Sequence, residues 1–371
     1  FIFRDPNLCI LCGRCVRVCS EIRGREAISF IKRGHRTEIG TSFGKSLLEV
    51  GCMFCGACVD VCPTGSLSSR STRWHGNPEK VVSSLCLLCG ASCEFEFLVK
   101  WGKVVDSRPL VEGWNRGQGC VRGRFCLAPL FNSSDRLKYP LVRKNGRLTP
   151  VDWNEAVDLI CEKLKYYKPE ETGFLASPYL TNEAFYLFQK LASENLEIKG
   201  DGTGRRTLAA LLRNGLEISS FEDLENSDLI LVFDTDLYLS QPVLTVSIER
   251  ARKKGGKLVV FDLTERSLFS GRADLLVEFK KEEVVEVLAC VLKSLLRDEP
   301  ENAELLRKEC ENSQHLLDYL NEIKIEEIPF KCGVEKRKIV KLVSFLRTAE
   351  RVTLILGNDS EEFSGEEETL L

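Results

Sequence analysis

Residues 5–21 read DPNLCILCGRCVRVCSE and residues 50–67 read VGCMFCGACVDVCPTGSL, and both carry the spacing C-x2-C-x2-C-x3-C. The first run places Cys9, Cys12, Cys15 and Cys19; the second places Cys52, Cys55, Cys58 and Cys62, with Pro63 following. So short a spacing lets a loop wrap three corners of an iron-sulfur cubane, while Gly13 and Gly56 permit the tight path and leave amides free to donate to sulfur. Zinc is the competing reading, but zinc sites favour paired C-x2-C knuckles over such runs. The fourth cysteine of each run is expected to start a helix that carries it to the other cluster. The expected [4Fe-4S] ligand sets are therefore Cys9, Cys12, Cys15 and Cys62 for one cluster, and Cys19, Cys52, Cys55 and Cys58 for the other.

Between the runs, AISFIKRGHRTEIG (27–40) reads as an inserted β-hairpin. His35 falls in its turn and reads as a solvated residue, because both cubanes already have four thiolates. Over about residues 4–72 the chain resembles a bacterial two-cluster ferredoxin. Downstream, CLLCGASC (86–93) supplies Cys86, Cys89 and Cys93, and Cys120 completes the spacing C-x2-C-x3-C-x26-C, enough thiols for a third [4Fe-4S] cluster. The intervening EFEFLVKWGKVVDSRP (94–109) alternates around Gly102-Lys103 as a β-hairpin does, which brings Cys120 back beside the other three. Cys126, six residues later, competes as fourth ligand.

At 371 residues with 43% hydrophobic residues, the chain can fill two or three domain cores. Its longest apolar stretches, such as LILVF at 229–233, fall far short of the roughly 18 residues a membrane span needs, so we expect a soluble protein with no direct membrane span. Phe1–Arg4 is neither a charged nor an apolar leader, and Phe1 in place of Met leaves room for a natural N-terminus upstream. Of seventeen cysteines, twelve precede residue 121 in ligand-like groups, which favours the reducing cytoplasm over a disulfide framework.

The net charge of −3 hides an asymmetry: 23 Lys+Arg against 12 Asp+Glu up to residue 150 gives +11, and 29 against 43 afterwards gives −14. Nucleic-acid binding would use a basic half, but several anionic clusters need the same compensating cations, and that reading is preferred.

Beyond residue 150, TNEAFYLFQKLASEN (181–195) has helical periodicity, and ENSDLILVFDTD followed by SQPVLTVSIERARKKGGKLVVFDL reads strand, helix, strand. Both strands are near-continuous apolar runs, as a parallel sheet covered on two faces requires. The helix-rich VVEVLACVLKSLL and the strand VTLILGND follow, completing a Rossmann-like α/β domain. The scattered Cys161, Cys290, Cys310 and Cys332 read as core packing, and His75 and His315 as surface residues.

The third cysteine group, with GRF at 123–125 and NSSDRLKYPLVRKNGRLTPVDWNEAVDLI after it, resembles the iron-sulfur domain of the molybdopterin oxidoreductase superfamily. With the ferredoxin-like segment, it points to formate dehydrogenase α chains, the large iron-sulfur (75 kDa, or G-type) chain of NADH:quinone oxidoreductase, and similar chains of electron-bifurcating hydrogenases. The resemblance favours Cys120 over Cys126, since Cys120 holds the family position before x-x-G-R-F. It implies three domains: a two-cluster ferredoxin-like domain over 1–78, a small β-rich [4Fe-4S] domain over 79–138, and a Rossmann-like α/β domain over 139–371.

The resemblance also implies what is missing. Residues 199–207, KGDGTGRRT, contain neither a metal-ligating cysteine nor a following histidine. Asp234-Thr235-Asp236 stands where a Gly-x-Asn loop would admit a pyrophosphate, and Asp262-Leu263-Thr264 where Asp-Pro-Arg would contact phosphate. Gly202 to Arg206 lacks the spacing of a phosphate loop. Arg122 replaces the lysine between cluster and pterin while keeping its cation, and is the candidate cofactor-binding residue. Relatives continue past the point where GNDSEEFSGEEETLL closes this sequence.

The expectation is an electron-transfer subunit with three [4Fe-4S] clusters and no molybdopterin, and no catalytic residue of its own. Its partners would be a flavin- and NADH-binding iron-sulfur subunit and a ferredoxin, hydrogenase or dehydrogenase module. Two alternatives are a molybdenum- or tungsten-pterin formate dehydrogenase catalytic chain and a stand-alone polyferredoxin-like carrier.

Overall fold

The computed structural model describes residues 1–177, 180–195, 217–233, 236–262, 270–280, 283–298, 304, 306–308 and 313–357. Two compact units divide the chain: Phe1–Leu127 with Arg205–Leu371, and Ala128–Gly204.

The first segment runs β1 (Ile2–Arg4), α1 (Arg14–Arg17), β2 (Ser29–Ile31), β3 (Glu38–Gly40), α2 (Ala57–Asp60) and β4 (Leu67–Ser69). β1 pairs antiparallel with β4, and β2 with β3 forms the expected hairpin, Phe30 opposite Ile39. Its small core joins Cys15, Ile28, Ile39 and Leu67, so the cluster-type loops and the hydrophobic centre are one structure.

α1 and α2 each start from a glycine in the left-handed region, Gly13 (φ 71°) and Gly56 (φ 77°). A side chain there would be strained, so the glycines fix where each helix begins. That corrects the expectation that the fourth cysteine starts the helix: Cys15 and Cys58 lie in the first turn of α1 and α2. Cys19 sits in the wider turn Val18–Ile22 that prolongs α1, and Cys62 just beyond α2.

β5 (Lys80–Leu85), β6 (Glu94–Lys100) and β7 (Lys103–Pro109) form an antiparallel sheet in that order. The β6–β7 turn places Trp101 (φ 52°) and Gly102 (φ 68°) in the left-handed region, the twist that a two-residue hairpin turn needs. Sequence reading missed β5, all six residues of which are exposed. A wide turn, Arg122–Cys126, then leads into α3 (Leu127–Phe131).

Within Ala128–Gly204, β8 (Leu141–Lys144) and β9 (Arg147–Pro150) form a hairpin, followed by α4 (Trp153–Leu164) and α5 (Asn182–Lys190). Asp152 and Thr181 cap these two helices, accepting from Glu155 N at 2.9 Å and Ala184 N at 3.2 Å. Cys161 is exposed, which overturns its placement in a core. α4 buries Ala156 alone, and five residues on is about 140° round the helix from it.

The α/β domain proceeds through α6 (Phe221–Glu225), β10 (Leu229–Phe233), α7 (Leu237–Ser240), α8 (Leu244–Lys253), β11 (Lys257–Asp262), β12 (Leu275–Glu278), α9 (Val284–Asp298), α10 (Ser313–Glu322), α11 (Ile328–Lys331), α12 (Lys336–Thr348) and β13 (Val352–Leu356). Its sheet order is β12-β11-β10-β13, parallel at every pairing. Alternation along each strand supplies both faces. Ile230, Val232, Leu258 and Val260 pack with Ile248 and Ala251 of α8, while Leu229, Val259 and Phe261 pack with Val287 and Cys290 of α9 and Leu342 of α12. Each fully buried Val, Leu, Ile or Phe among them contributes about 1.5–3 kcal/mol of transfer free energy. Cys332 is also buried in this core, and Cys310 lies outside the described residues.

Candidate metal centres

The eight cysteines of the two runs line two cavities, and they do so crosswise. Cys9, Cys12, Cys15 and Cys62 face one, with Arg4, Gly13 and Ile39. Cys19, Cys52, Cys55 and Cys58 face the other, with Arg23, Arg25 and Met53. The wide turn after α1 carries Cys19 over, and the residues after α2 carry Cys62 back.

Among the described residues, no three His, Cys, Asp or Glu side chains form a group that could hold a single metal ion. A tetrahedral zinc would draw its sulfurs to about 3.8 Å from one another. Four thiols lining one cavity are a donor set that a multi-iron cubane can use.

Burial pushes the Cys58 thiol well above its ordinary value, and the fields of Cys55, Cys52, Cys19 and Cys15 add to it. Cys15 is raised chiefly by burial, with Cys12 and Cys62 adding their fields. At Cys62 burial acts upward too, but N–H donors from Leu67, Thr64 and Ser66 and the Thr64 hydroxyl outweigh it and bring the thiol down. Leu67 N donates to Cys62 Sγ at 3.4 Å, and Phe54 N to Cys52 Sγ at the same distance. Donors of this kind stabilise thiolate and tune a cluster's potential.

The third set gathers at the mouth of the β5–β7 sheet. Cys86, Cys93 and Cys120 are buried and Cys89 is half-buried, with Cys86 N donating to Cys93 O at 2.8 Å. Burial pushes the Cys93 thiol up, and the fields of Cys89, Cys120 and Cys86 reinforce the rise; Cys86 is raised by burial, then by Cys120 and Cys89. Cys120 is thus the late cysteine that acts on both.

Arg122 donates from Nη2 to Ser240 O on α7 at 2.8 Å, and its field favours the Cys86 thiolate. It therefore places a cation between the third thiol set and the C-terminal end of α7. Asp236 caps α7, accepting from Tyr238 N at 2.9 Å, and Asp262 is buried and accepts from Ser270 Oγ. Asp234, Thr235, Leu263, Thr264 and residues 199–207 lie outside the described residues. His35 and His315 are exposed; His75 is half-buried, its ring against Trp101.

Sequence reasoning missed Arg124. It is buried, its Nη1 donates to Asp106 Oδ1 and Ser107 O at 2.6 Å each, and its Nε and Nη2 donate to Asp60 Oδ1 at 3.2 and 3.0 Å. The signal was its place in GRF, quoted as a signature without a role.

Comparison with known proteins gives three successive matches. Residues 1–68 match the ferredoxin-like domain of NADH-quinone oxidoreductase subunit 3, residues 79–130 the molybdopterin oxidoreductase Fe4S4 domain, and residues 136–302 molybdopterin oxidoreductase itself. Over these segments the chain is similar to the molybdopterin oxidoreductase family. Relatives within it include the second G-type chain of NADH-quinone oxidoreductase from Rhizobium meliloti, 34% identical over 70% of this chain and 31% of that one. NADPH-Fe(3+) oxidoreductase subunit alpha of Geobacter sulfurreducens is 29% identical over 95% of this chain and 42% of its own. F420-dependent formate dehydrogenase 2 subunit alpha of Methanococcus maripaludis is 28% identical over 74% and 42%.

The chain thus spans under half the length of these family members. Acetylene hydratase from Pelobacter acetylenicus shares the fold, with a TM-score of 0.62 at 18% identity, over 75% of this chain and 40% of that one. Among the described residues, no helix is long and apolar enough to cross a membrane.

Proposed function

We propose that this chain is the electron-transfer part of a cytoplasmic multi-subunit NADH- or ferredoxin-linked oxidoreductase, with three domains bounded as 1–78, 79–138 and 139–371. The observation that carries the reading is the grouping of twelve thiols in three sets of four within one compact unit. Cys9, Cys12, Cys15 and Cys62 hold the first [4Fe-4S] cluster, Cys19, Cys52, Cys55 and Cys58 the second, and Cys86, Cys89, Cys93 and Cys120 the third. When bound, each cluster takes up and releases one electron.

The chain's own part is to hold, bury and tune. Arg4, Arg23 and Arg25 stand at the first two cavities as counter-charges to thiolate, and backbone N–H groups donate to sulfur at Cys52 and Cys62. At the first cavity Cys12 is exposed, amid exposed Leu8, Ile10 and Leu11, and Arg17 donates to Cys12 O at 3.3 Å. That rim suits docking of a flavin- and NADH-binding iron-sulfur subunit, whose flavin would divide a hydride's two electrons into single transfers. A ferredoxin, hydrogenase or dehydrogenase module stands at the other end of the route.

The α/β domain serves as a docking scaffold without molybdopterin. Supporting this, Asp236 is spent as a helix cap and Asp262 on Ser270, at strand ends where cofactor phosphates would approach. A second reading, a molybdenum- or tungsten-pterin formate dehydrogenase chain, is favoured by Arg122, whose cation lies between the third thiol set and α7, the helix that follows β10.

Elemental analysis of the purified complex, with this subunit's stoichiometry known, separates the two. About twelve irons per chain without molybdenum or tungsten is the expected result. Near-stoichiometric molybdenum or tungsten traced to this chain would overturn the scaffold reading in favour of the enzyme.

A further inference from the structure

Gly123-Arg124-Phe125 immediately follows the turn bearing Cys120, and each of the three residues makes a contact that only its own side chain, or lack of one, allows. A Cβ at Gly123 would lie 2.6 Å from Phe95 Cζ, so glycine lets the sheet close on the turn. Phe125 stacks on Phe1 at 5.3 Å, and Phe1 meets Phe54, the neighbour of Cys55, edge-on at 5.7 Å. Arg124 reaches furthest. Its backbone N donates to Cys120 O at 2.9 Å, while its side chain crosses to Asp60 on α2.

On the way, the Arg124 side chain lies against Gly56, the glycine between Cys55 and Cys58: a Cβ at Gly56 would meet Arg124 Cγ at 2.6 Å. One residue therefore touches the second thiol loop with its side chain and the third thiol set with its backbone. Ser107 holds the opposite side, its Oγ donating to Gly123 O at 2.7 Å and Arg124 O at 3.2 Å. A second tie runs the other way, from buried Arg23 at the second cavity to Gln118 Oε1 at 3.3 Å, two residues before Cys120.

We propose that Arg124 is a positioning residue that clamps the Cys52, Cys55 and Cys58 loop to the Cys120 turn and so sets the separation of the second and third thiol sets. The proposal rests on the relay reading for its purpose, but the clamp itself concerns protein atoms. Two carboxylates, Asp60 and Asp106, satisfy opposite ends of one planar fork, and the cost of burying it is offset only while both contacts are made. Lysine, a point charge with no fork, cannot span both. Such a tie holds spacing more tightly than apolar packing alone, because the fork accepts partners only in fixed directions.

The test uses the full chain in its complex, as Arg124→Gln and Arg124→Lys, read by iron content, by amide exchange over residues 55–60 and 106–108, and by magnetic interaction between clusters in electron paramagnetic resonance. We expect iron to stay at the unsubstituted level, exchange to quicken at least about tenfold in both segments together, and the magnetic interaction to weaken, with Lys no better than Gln. Unchanged exchange in both segments, or full rescue by Lys, overturns the clamp.

Should the Gln variant fail to fold, Asp60→Asn weakens one end of the fork while leaving Arg124 and Gly56 in place, and the same exchange readout then decides. Iron well below about twelve in the unsubstituted complex counts against the relay, and amide exchange still judges the clamp.

Discussion

The first and third thiol sets solve one chemical problem in opposite surroundings. Around Cys9, Cys12, Cys15 and Cys62 the second repeat returns one thiol to the first, and Cys12 and its apolar neighbours remain at the surface. Around Cys86, Cys89, Cys93 and Cys120 the β6–β7 hairpin separates the last thiol from the first three, and Cys86, Cys93 and Cys120 are all buried. A redox centre open to solvent can meet a partner, whereas a buried one is confined to exchange with its own neighbours. The difference teaches that the same four-cysteine chemistry can serve the end of a route or its interior, depending on what the fold places around it.

The most severe way to break that comparison is to remove Cys120. Cys120→Ala should cost about four of about twelve irons and leave the spectra of the ferredoxin-like pair intact, while Cys126→Ala should cost none. If iron is unchanged while Cys126 remains, Cys120 is not the fourth ligand. Next comes Cys62→Ala, which should damage the cluster of Cys9, Cys12 and Cys15; loss of the Cys52, Cys55 and Cys58 signal instead would show that the crossing is wrong.

A smaller effect is expected away from both sets. Ile248, fully buried under the parallel sheet, should cost about 2–5 kcal/mol as Ile248→Ala, read by denaturant unfolding, with cluster spectra of the folded protein unaltered. Altered spectra would mean that scaffold and clusters are not separable. The mildest change is Arg17→Gln beside exposed Cys12. Reduction by an external protein donor should slow by less than about tenfold and lose part of its salt dependence, and an unchanged rate and salt slope would remove Arg17 from the docking rim.

Much of this was legible because the informative signals are local. The repeated cysteine spacing, the left-handed glycines Gly13 and Gly56, and the apolar runs of β10 and β11 each sit within a few residues, where stereochemistry acts directly. The misreadings fall where tertiary contact decides. β5 carries KVVSSL with every residue exposed, so no alternation announced a strand. Cys161 fits an apolar helix pattern, yet α4 turns only Ala156 inward. The helix starts were misplaced because the ligand pattern outweighed the glycines in the reading, although the glycines govern the backbone. Arg124 was the largest omission: nothing near it in sequence foretells partners 64 and 18 positions away.

The paired glycines carry one more consequence. Gly13 and Gly56 occupy the same place in the two repeats and adopt nearly the same φ, 71° and 77°, as an internal duplication would leave them. Their neighbours no longer match: the open side of Gly13 faces Phe30 and Arg17 of its own segment, whereas that of Gly56 faces Arg124 from the next. The duplication has thus become polarised without any change to its cysteine spacing. The glycine of one repeat has kept neighbours from its own segment, and that of the other is closed over by the segment that follows. A symmetrical module acquires a front and a back in this way, through its flanking contacts alone.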